Sequence, residues 1–241
     1  AYKDQLAYKQ GMVENALQRI GGLAVEVAPI IGMANPIHYR NKVQAPVGQQ
    51  GQEIIMGCFA PKSHQIIATD HCLIQNSLNN LVLQKMKKLL QRYGITVYNE
   101  SSHRGDLRHI IVRAIADQAY VMLVTKTAKV PKLKALAAEL IREIPAIQGV
   151  AQNINPHKTN VILGKETKVL TGQEYLLVEL ADLQFKVSPQ AFLQVNWEQM
   201  QVLYNQVAQF ANLTGQEIVV DAYCGIGTIA LYLARQARCV Y

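Results

Sequence analysis

Long apolar runs are missing from this chain of 241 residues. No stretch approaches the ~20 residues that a membrane-spanning helix needs, and the opening AYKDQLAYKQ lacks the apolar core of a signal peptide. The expectation is a cytoplasmic protein, most simply a monomer, with no membrane partner. Cysteine is scarce as well: Cys58, Cys72, Cys224 and Cys239 are the only four. None are spaced as a CxxC pair, which argues against a disulfide framework and against a self-contained zinc site. The six histidines show no paired metal-ligand spacing either, so none is given a catalytic role. Gly/Ser-rich linkers and internal repeats are absent. Acidic residues are in the minority, 17 against 24 Lys plus Arg for a net charge of +7, a balance that favours a polyanionic partner. With 50% hydrophobic and 17% charged residues, the chain can fill one large domain or two ordinary ones.

What is present falls into a readable order. Leu6, Val13, Leu17 and Ile20 share a helical face that Gly21 and Gly22 close. There is no initiator Met at position 1, so a piece of a longer protein is expected. From about Val25 to Lys186, β-like and helical segments alternate, which reads as one mixed α+β domain. Residues 54–68 read as a hairpin turned near Pro61 and Ser63, and 107–115 and 119–125 as a pair of strands. A helix is expected from Asn76 to Tyr93, with Leu78, Val82, Met86, Leu89 and Tyr93 on one face and Gly94 at its end. A second opens at Pro131 and stops at Pro145. Short strands are expected at 160–163 and 175–180. Pro189, after Ser188, suits the start of a linking helix that carries Trp197, Met200, Leu203, Val207 and Phe210.

After that helix comes EIVVDAYCGIGTIA. Ile218, Val219 and Val220 form a β-branched run, the glycines make a tight loop, and a helical pattern follows. Gly225 and Gly227 let backbone approach a ligand, and a nucleoside-containing cofactor is the natural occupant. The loop alone leaves the cofactor open, because GIGTIA also satisfies G-x-G-x-x-A, the dinucleotide fingerprint. One strand, one helix and the start of a second strand do not make a covered sheet, so this last domain is expected to be incomplete.

Several stretches together carry a resemblance. AYKDQLAYK with LQRIG, YRNKVQ, PKSHQIIATDHCLIQ, GDLRHIIVR, NINPHKTNVILG, the QVN of FLQVN, and DAYCGIGT resemble the RNA uracil-5-methyltransferases, most closely the branch acting on 23S ribosomal RNA. The likeness runs over essentially the whole chain. It implies α/β and α+β architecture: an N-terminal helix (1–24) left from an upstream iron–sulfur region, a central α+β RNA-facing domain (25–187), a linking helix (188–214) and the first part of a Rossmann-like S-adenosylmethionine-dependent methyltransferase domain (215–241).

The resemblance also implies roles. S-adenosylmethionine would be bound by Gln194 and Tyr223, with Gly225, Gly227 and Thr228 shaping the loop. An aromatic face beside a sulfonium or adenine gains on the order of 1 kcal/mol, and an amide can both donate and accept. Carbon 5 of uracil is a poor nucleophile, so its methylation needs a thiolate to add at carbon 6 and a base to take the carbon 5 proton. That cysteine and a glutamate are expected beyond Tyr241, and this piece is expected to be inactive alone. Cys72, in DHC, matches the fourth ligand of the 4Fe–4S cluster of the ribosomal branch. Its three companions would lie upstream of Ala1, and one thiolate cannot hold four irons.

For RNA, Arg40, Arg104 and Arg108 are the expected contacts to phosphates or to a splayed loop. Basic residues concentrate from Lys85 to Arg113, and a solvated helix face explains those from Lys85 to Arg92 equally well. Two relatives of this reading stay open, a transfer-RNA uracil-5-methyltransferase and a non-catalytic RNA-binding module. A nicotinamide enzyme rests on GIGTIA alone.

Overall fold

The computed structural model describes residues Ala1–Tyr241. They form two compact units, Ala1–Ile37 and His38–Tyr241. In the first, helix α1 (Tyr2–Asn15) continues through a π-helical turn at Ala16–Ile20. The chain then turns at Gly22, whose φ of 63° is left-handed, and polar side chains hold the returning segment. Gln10 accepts from the N–H of Ile30 at 2.7 Å, and the Tyr2 hydroxyl accepts from the N–H of Met33 at 2.8 Å. No residue of α1 is buried, so these bonds rather than an apolar stripe organise the unit.

The second unit is built on a sheet. Strands β1 (Lys42–Gln50), β2 (Glu53–Phe59) and β3 (Ile66–Ala68) are followed by helix α2 (Ser77–Tyr93), strands β4 (Leu107–Ile115) and β5 (Gln118–Thr125), helix α3 (Leu133–Glu143), and strands β6 (Ile147–Ile154) and β7 (Glu166–Gly172). The seven strands lie in the order β3-β2-β1-β4-β5-β6-β7. Only β5 and β6 pair in parallel, because α3 carries the chain across between them; the other neighbours are antiparallel.

Each face of the sheet has its own cover. Every residue of β4 is buried, as a central strand with both faces packed requires. On one face lie α2 and α3, burying Val82, Met86, Leu89, Leu90, Leu133, Leu136 and Leu140 against Val112, Ala114, Val121 and Leu123. The ends of α2 are set locally. The Asn76 side chain accepts from the N–H of Leu78 at 2.9 Å, and Gly94 ends the helix at φ 64°. On the other face Ile111, Tyr120, Met122 and Val124 meet a hairpin of β8 (Leu176–Leu180) and β9 (Leu183–Val187) together with helix α4 (Trp197–Ala211). The chain ends in β10 (Ile218–Val219), helix α5 (Thr228–Ala234) and β11 (Cys239–Val240), with β10 and β11 parallel.

Two expected elements move. Residues 160–163 are not a strand, because the buried Asn155 side chain donates to the carbonyls of Val161 at 2.7 Å and Ile162 at 3.0 Å and keeps them in a loop. The strand forms one step later, as β7. The linking helix starts at Trp197 rather than Pro189, with the Asn196 side chain accepting from the N–H of Gln199 at 3.0 Å as its N-cap.

Candidate functional site

The glycine loop follows β10 and is braced from both ends. The N–H of Asp221 reaches the carbonyl of Tyr241 at 2.8 Å, and the N–H of Gly227 reaches the carbonyl of Cys224 at 2.8 Å. Just before it, Glu217 accepts from the Thr214 hydroxyl and from two backbone N–H groups, which together hold its carboxyl down to about 2. Gly225 sits at φ 57° and Gly227 at φ 79°. A Cβ added at Gly225 would meet nothing within 4 Å. The loop therefore presents bare backbone to open space, as a close-fitting ligand demands. Tyr223 is 98% exposed, its ring free to stack. Thr228 plays a different part: it is buried, and its hydroxyl lies 2.7 Å from that of Tyr204. The hydroxyl is thus held inside the apolar layer beneath the loop.

Gln194 lies in the irregular stretch before α4. Its side chain is exposed, whereas Leu193 beside it is buried. Leu193, Met200 and Tyr204 belong to the same apolar cluster that Ile226, Ile229 and Tyr232 pack against. Leu193, next to Gln194, and Ile226, in the glycine loop, thus share one apolar cluster. The backbone at Gln194 is fixed by a residue the sequence did not flag. Asn41, 2% exposed, donates from its side chain to the Gln194 carbonyl at 2.9 Å and from its N–H to the Val195 carbonyl at 2.7 Å.

Beside this stretch sit three cations. Arg40 makes backbone bridges to Gln75 on one side and Asn196 on the other. Arg113 is 2% exposed and donates to the Ala191 carbonyl at 2.6 Å, while its Nε and Nη1 have no hydrogen-bond partner. Burial pulls it down to about 10, so it stays charged at neutral pH. Lys42 is held below its ordinary value by burial, then by Arg113 and Arg40. This cationic seam, next to Gln194 and without an ion-pairing carboxylate, attracts anions. The sequence counted Arg113 and Lys42 among its basic residues but not their burial, because a charge inside a β-rich run gives no sign of which face it joins.

The other expected RNA contacts separate. Arg104 is exposed, on a tight turn where Asn99 donates to the Arg104 carbonyl at 2.8 Å. Arg108 is not on the surface. It is 3% exposed, donates to the carbonyls of Asn155 at 3.0 Å, His157 at 2.7 Å and Thr159 at 3.3 Å, and lies 4.5 Å over the Tyr98 ring. Its Nη1 and Nη2 groups are used internally and its Nε has no partner, so the side chain is buried rather than on a surface a phosphate reaches. Three of the basic side chains of α2 meet carboxylates distant in sequence. Lys85 pairs with Glu143 at 2.7 Å, Lys87 with Glu53 at 2.6 Å, and Arg92 with Glu139.

Cys72 lies in a loop bracketed by the Asn80 side chain, which accepts from its N–H at 3.3 Å and donates to its carbonyl at 3.1 Å. No three His, Cys, Asp or Glu side chains converge anywhere in the chain. The residues present do not make a metal or cluster site. All four cysteines are unpaired.

No family model matches the chain. Among curated proteins, it is 46% identical over 244 residues to one from Halalkalibacterium halodurans and 44% identical over 245 residues to one from Oceanobacillus iheyensis. A third, from Bacillus cereus, is 42% identical over 243 residues. All three are named as uncharacterized RNA methyltransferases. The alignments cover 100% of this chain and 53% of each relative, so the chain spans about half the length of the curated relatives it matches. Among solved structures, the Pyrococcus abyssi tRNA (uracil-54, C5)-methyltransferase, crystallised with S-adenosyl-L-homocysteine, matches with a TM-score of 0.76. The two are 23% identical, over 98% of this chain and 54% of that one. The fold is therefore a mixed α/β arrangement that leads into a Rossmann-like methyltransferase layout.

Proposed function

We propose that this chain is the RNA-facing half of an S-adenosylmethionine-dependent methyltransferase that modifies carbon 5 of a uridine in RNA. Its parts would be a central domain (25–187), a linking segment (188–214) and the opening of the cofactor domain (215–241). Ribosomal RNA is the substrate we put first, on the motifs, and transfer RNA second. The observation that carries the reading is the open Gly225–Gly227 loop, whose Ile226 packs on the same apolar cluster as Leu193 beside Gln194, with the Arg40–Lys42–Arg113 seam next to that stretch. Similarity to proteins named as RNA methyltransferases, and to a fold solved with S-adenosyl-L-homocysteine, supports it.

In this reading the cofactor supplies an electrophilic methyl group on sulfur. Tyr223 offers an aromatic face to a sulfonium or adenine, and the Gln194 amide offers both a donor and an acceptor. Gly225 leaves room for close approach. Arg40 and Lys42 draw the RNA backbone toward the same stretch, and Arg104 adds a contact from the exposed turn. The three cations would make RNA binding weaken steeply with salt. The thiolate and base that carbon 5 chemistry requires are assigned to none of the residues described.

Calorimetry with S-adenosylmethionine on the full-length protein tests the cofactor half of this reading. Gly225→Ala, which strains a left-handed residue and fills the approach, is expected to weaken binding at least tenfold without lowering the melting temperature by more than a few degrees. Intact RNA binding with no cofactor affinity in the wild type would favour the RNA-binding module instead.

A further inference from the structure

Away from the cofactor loop, the second face of the sheet opens between the β2–β3 hairpin tip and the loop after β6. The cleft there has a volume of about 640 Å³ and is lined by Gln44, Phe59, His64, His109 and Asn160. That size suits one nucleotide-sized ligand. Phe59 forms an aromatic corner, edge-on to His64 at 5.6 Å and to His109 at 6.1 Å. His109 is 6% exposed, and its Nδ1 has no hydrogen-bond partner. Burial, and then the nearby Arg108, pull its pKa down to about 4, so a neutral ring faces the cleft.

Both walls are built in advance. The Arg108 guanidinium and the Asn155 side chain together bind five carbonyls between residues 155 and 162. At the hairpin tip Ala60 donates to the Gln65 carbonyl at 2.8 Å and Ser63 to the Ala60 carbonyl at 3.1 Å. His64 Nε2 and Asn160 Oδ1 are hydrogen-bonded at 3.3 Å and tie the two walls together at one point. Two lysines, Lys62 on the hairpin and Lys158 on the loop, are exposed on opposite tips. Aromatic and amide groups inside with cations at the rim match an unstacked base and its flanking phosphates.

We propose that this cleft is a second recognition pocket, which takes one extruded RNA base against Phe59 while Lys62 and Lys158 hold its backbone. The base is a different nucleotide from the one methylated. This rests on the RNA-methyltransferase reading for its substrate and adds the means by which a single-stranded segment is held in register. Arg108 contributes by fixing one wall, which explains why a cation is buried there.

The test uses the full-length protein, a structured ribosomal RNA fragment and a transfer RNA. Fluorescence anisotropy reads RNA affinity, steady-state methyl transfer reads KM and kcat, and calorimetry reads cofactor affinity. Phe59→Ala is expected to weaken RNA binding and raise KM for RNA roughly 5- to 100-fold, as loss of one base stack does, with kcat and cofactor affinity unchanged. Phe59→Trp is expected to restore binding, and its indole emission to be quenched by RNA. Lys62→Glu with Lys158→Glu is expected to weaken binding and flatten its salt dependence. Wild-type RNA affinity in Phe59→Ala and in the lysine pair would overturn the pocket even if methyl transfer is normal. Phe59-dependent RNA binding without methyl transfer would overturn the methylation reading and keep the pocket.

Discussion

The hydroxyls of Tyr204 and Thr228 lie 2.7 Å apart in the buried seam between α4 and α5. This bond joins the helix that follows Gln194 to the helix that follows the glycine loop. Removing either partner strands the other hydroxyl out of reach of water. Tyr204→Phe and Thr228→Val are each expected to cost about 1 kcal/mol. A double-mutant cycle on urea midpoints should give a coupling of roughly 0.5–1.5 kcal/mol; additive losses would mean the bond contributes nothing.

Arg108 and Arg104, four residues apart, should behave as opposites. Arg108→Met leaves the carbonyls of Asn155, His157 and Thr159 without their donor and should destabilise the protein by more than about 2 kcal/mol. Arg104→Glu, on an exposed turn, should change stability by less than about 0.5 kcal/mol but weaken RNA binding at low salt. Thermal unfolding beside anisotropy titrations separates the two. Equal destabilisation by both would contradict the placement.

Asn41 should act on the cofactor side without touching a ligand. Its side chain and N–H hold the Gln194 and Val195 carbonyls. Asn41→Ala frees that stretch, and S-adenosylmethionine affinity is expected to fall about three- to tenfold, a loss of on the order of 1 kcal/mol, with Phe59-dependent RNA binding intact. Unchanged cofactor affinity would show that the stretch holds its shape without the side chain.

His109 gives a pH dependence whose sign follows from its burial. Its pKa falls from an ordinary 6.5 to about 4 in the folded protein. Between those values the unfolded chain takes up a proton that the folded state refuses, so stability falls as pH drops from 6.5 towards 4. The full loss is of order 3 kcal/mol. His109→Gln should remove that part of the slope in urea midpoints measured across this window. An unchanged slope would place the titration on other groups.

How far the sequence leads depends on where each signal resides. Helix α2 was legible because Asn76 and Gly94 cap it locally and its apolar face repeats at helical spacing. The start of α4 was missed by eight residues. Pro189 suggested a first turn, yet Asn196 with Gln199 three positions on is the stronger N-terminal signal, and it is the cap that forms. Strand β7 was hidden because an edge strand with an irregular exposure pattern shows no alternation. The cofactor residues were identified by motif, so their relation to Asn41, 153 positions away, could not be read. The buried cations were hardest. Arg108 and Arg113 look like surface charge in a linear text, and only the fold shows the carbonyls that hold them.

The most direct test follows the hydrogen on carbon 5. Full-length protein, S-adenosylmethionine and ribosomal RNA carrying tritium at carbon 5 of its uridines are incubated together, and tritium release is compared with methyl incorporation. The account predicts equal stoichiometry, with 5-methyluridine as the modified nucleoside by mass spectrometry. Methyl transfer without tritium release, or a methyl group on a base nitrogen or a ribose, would contradict it.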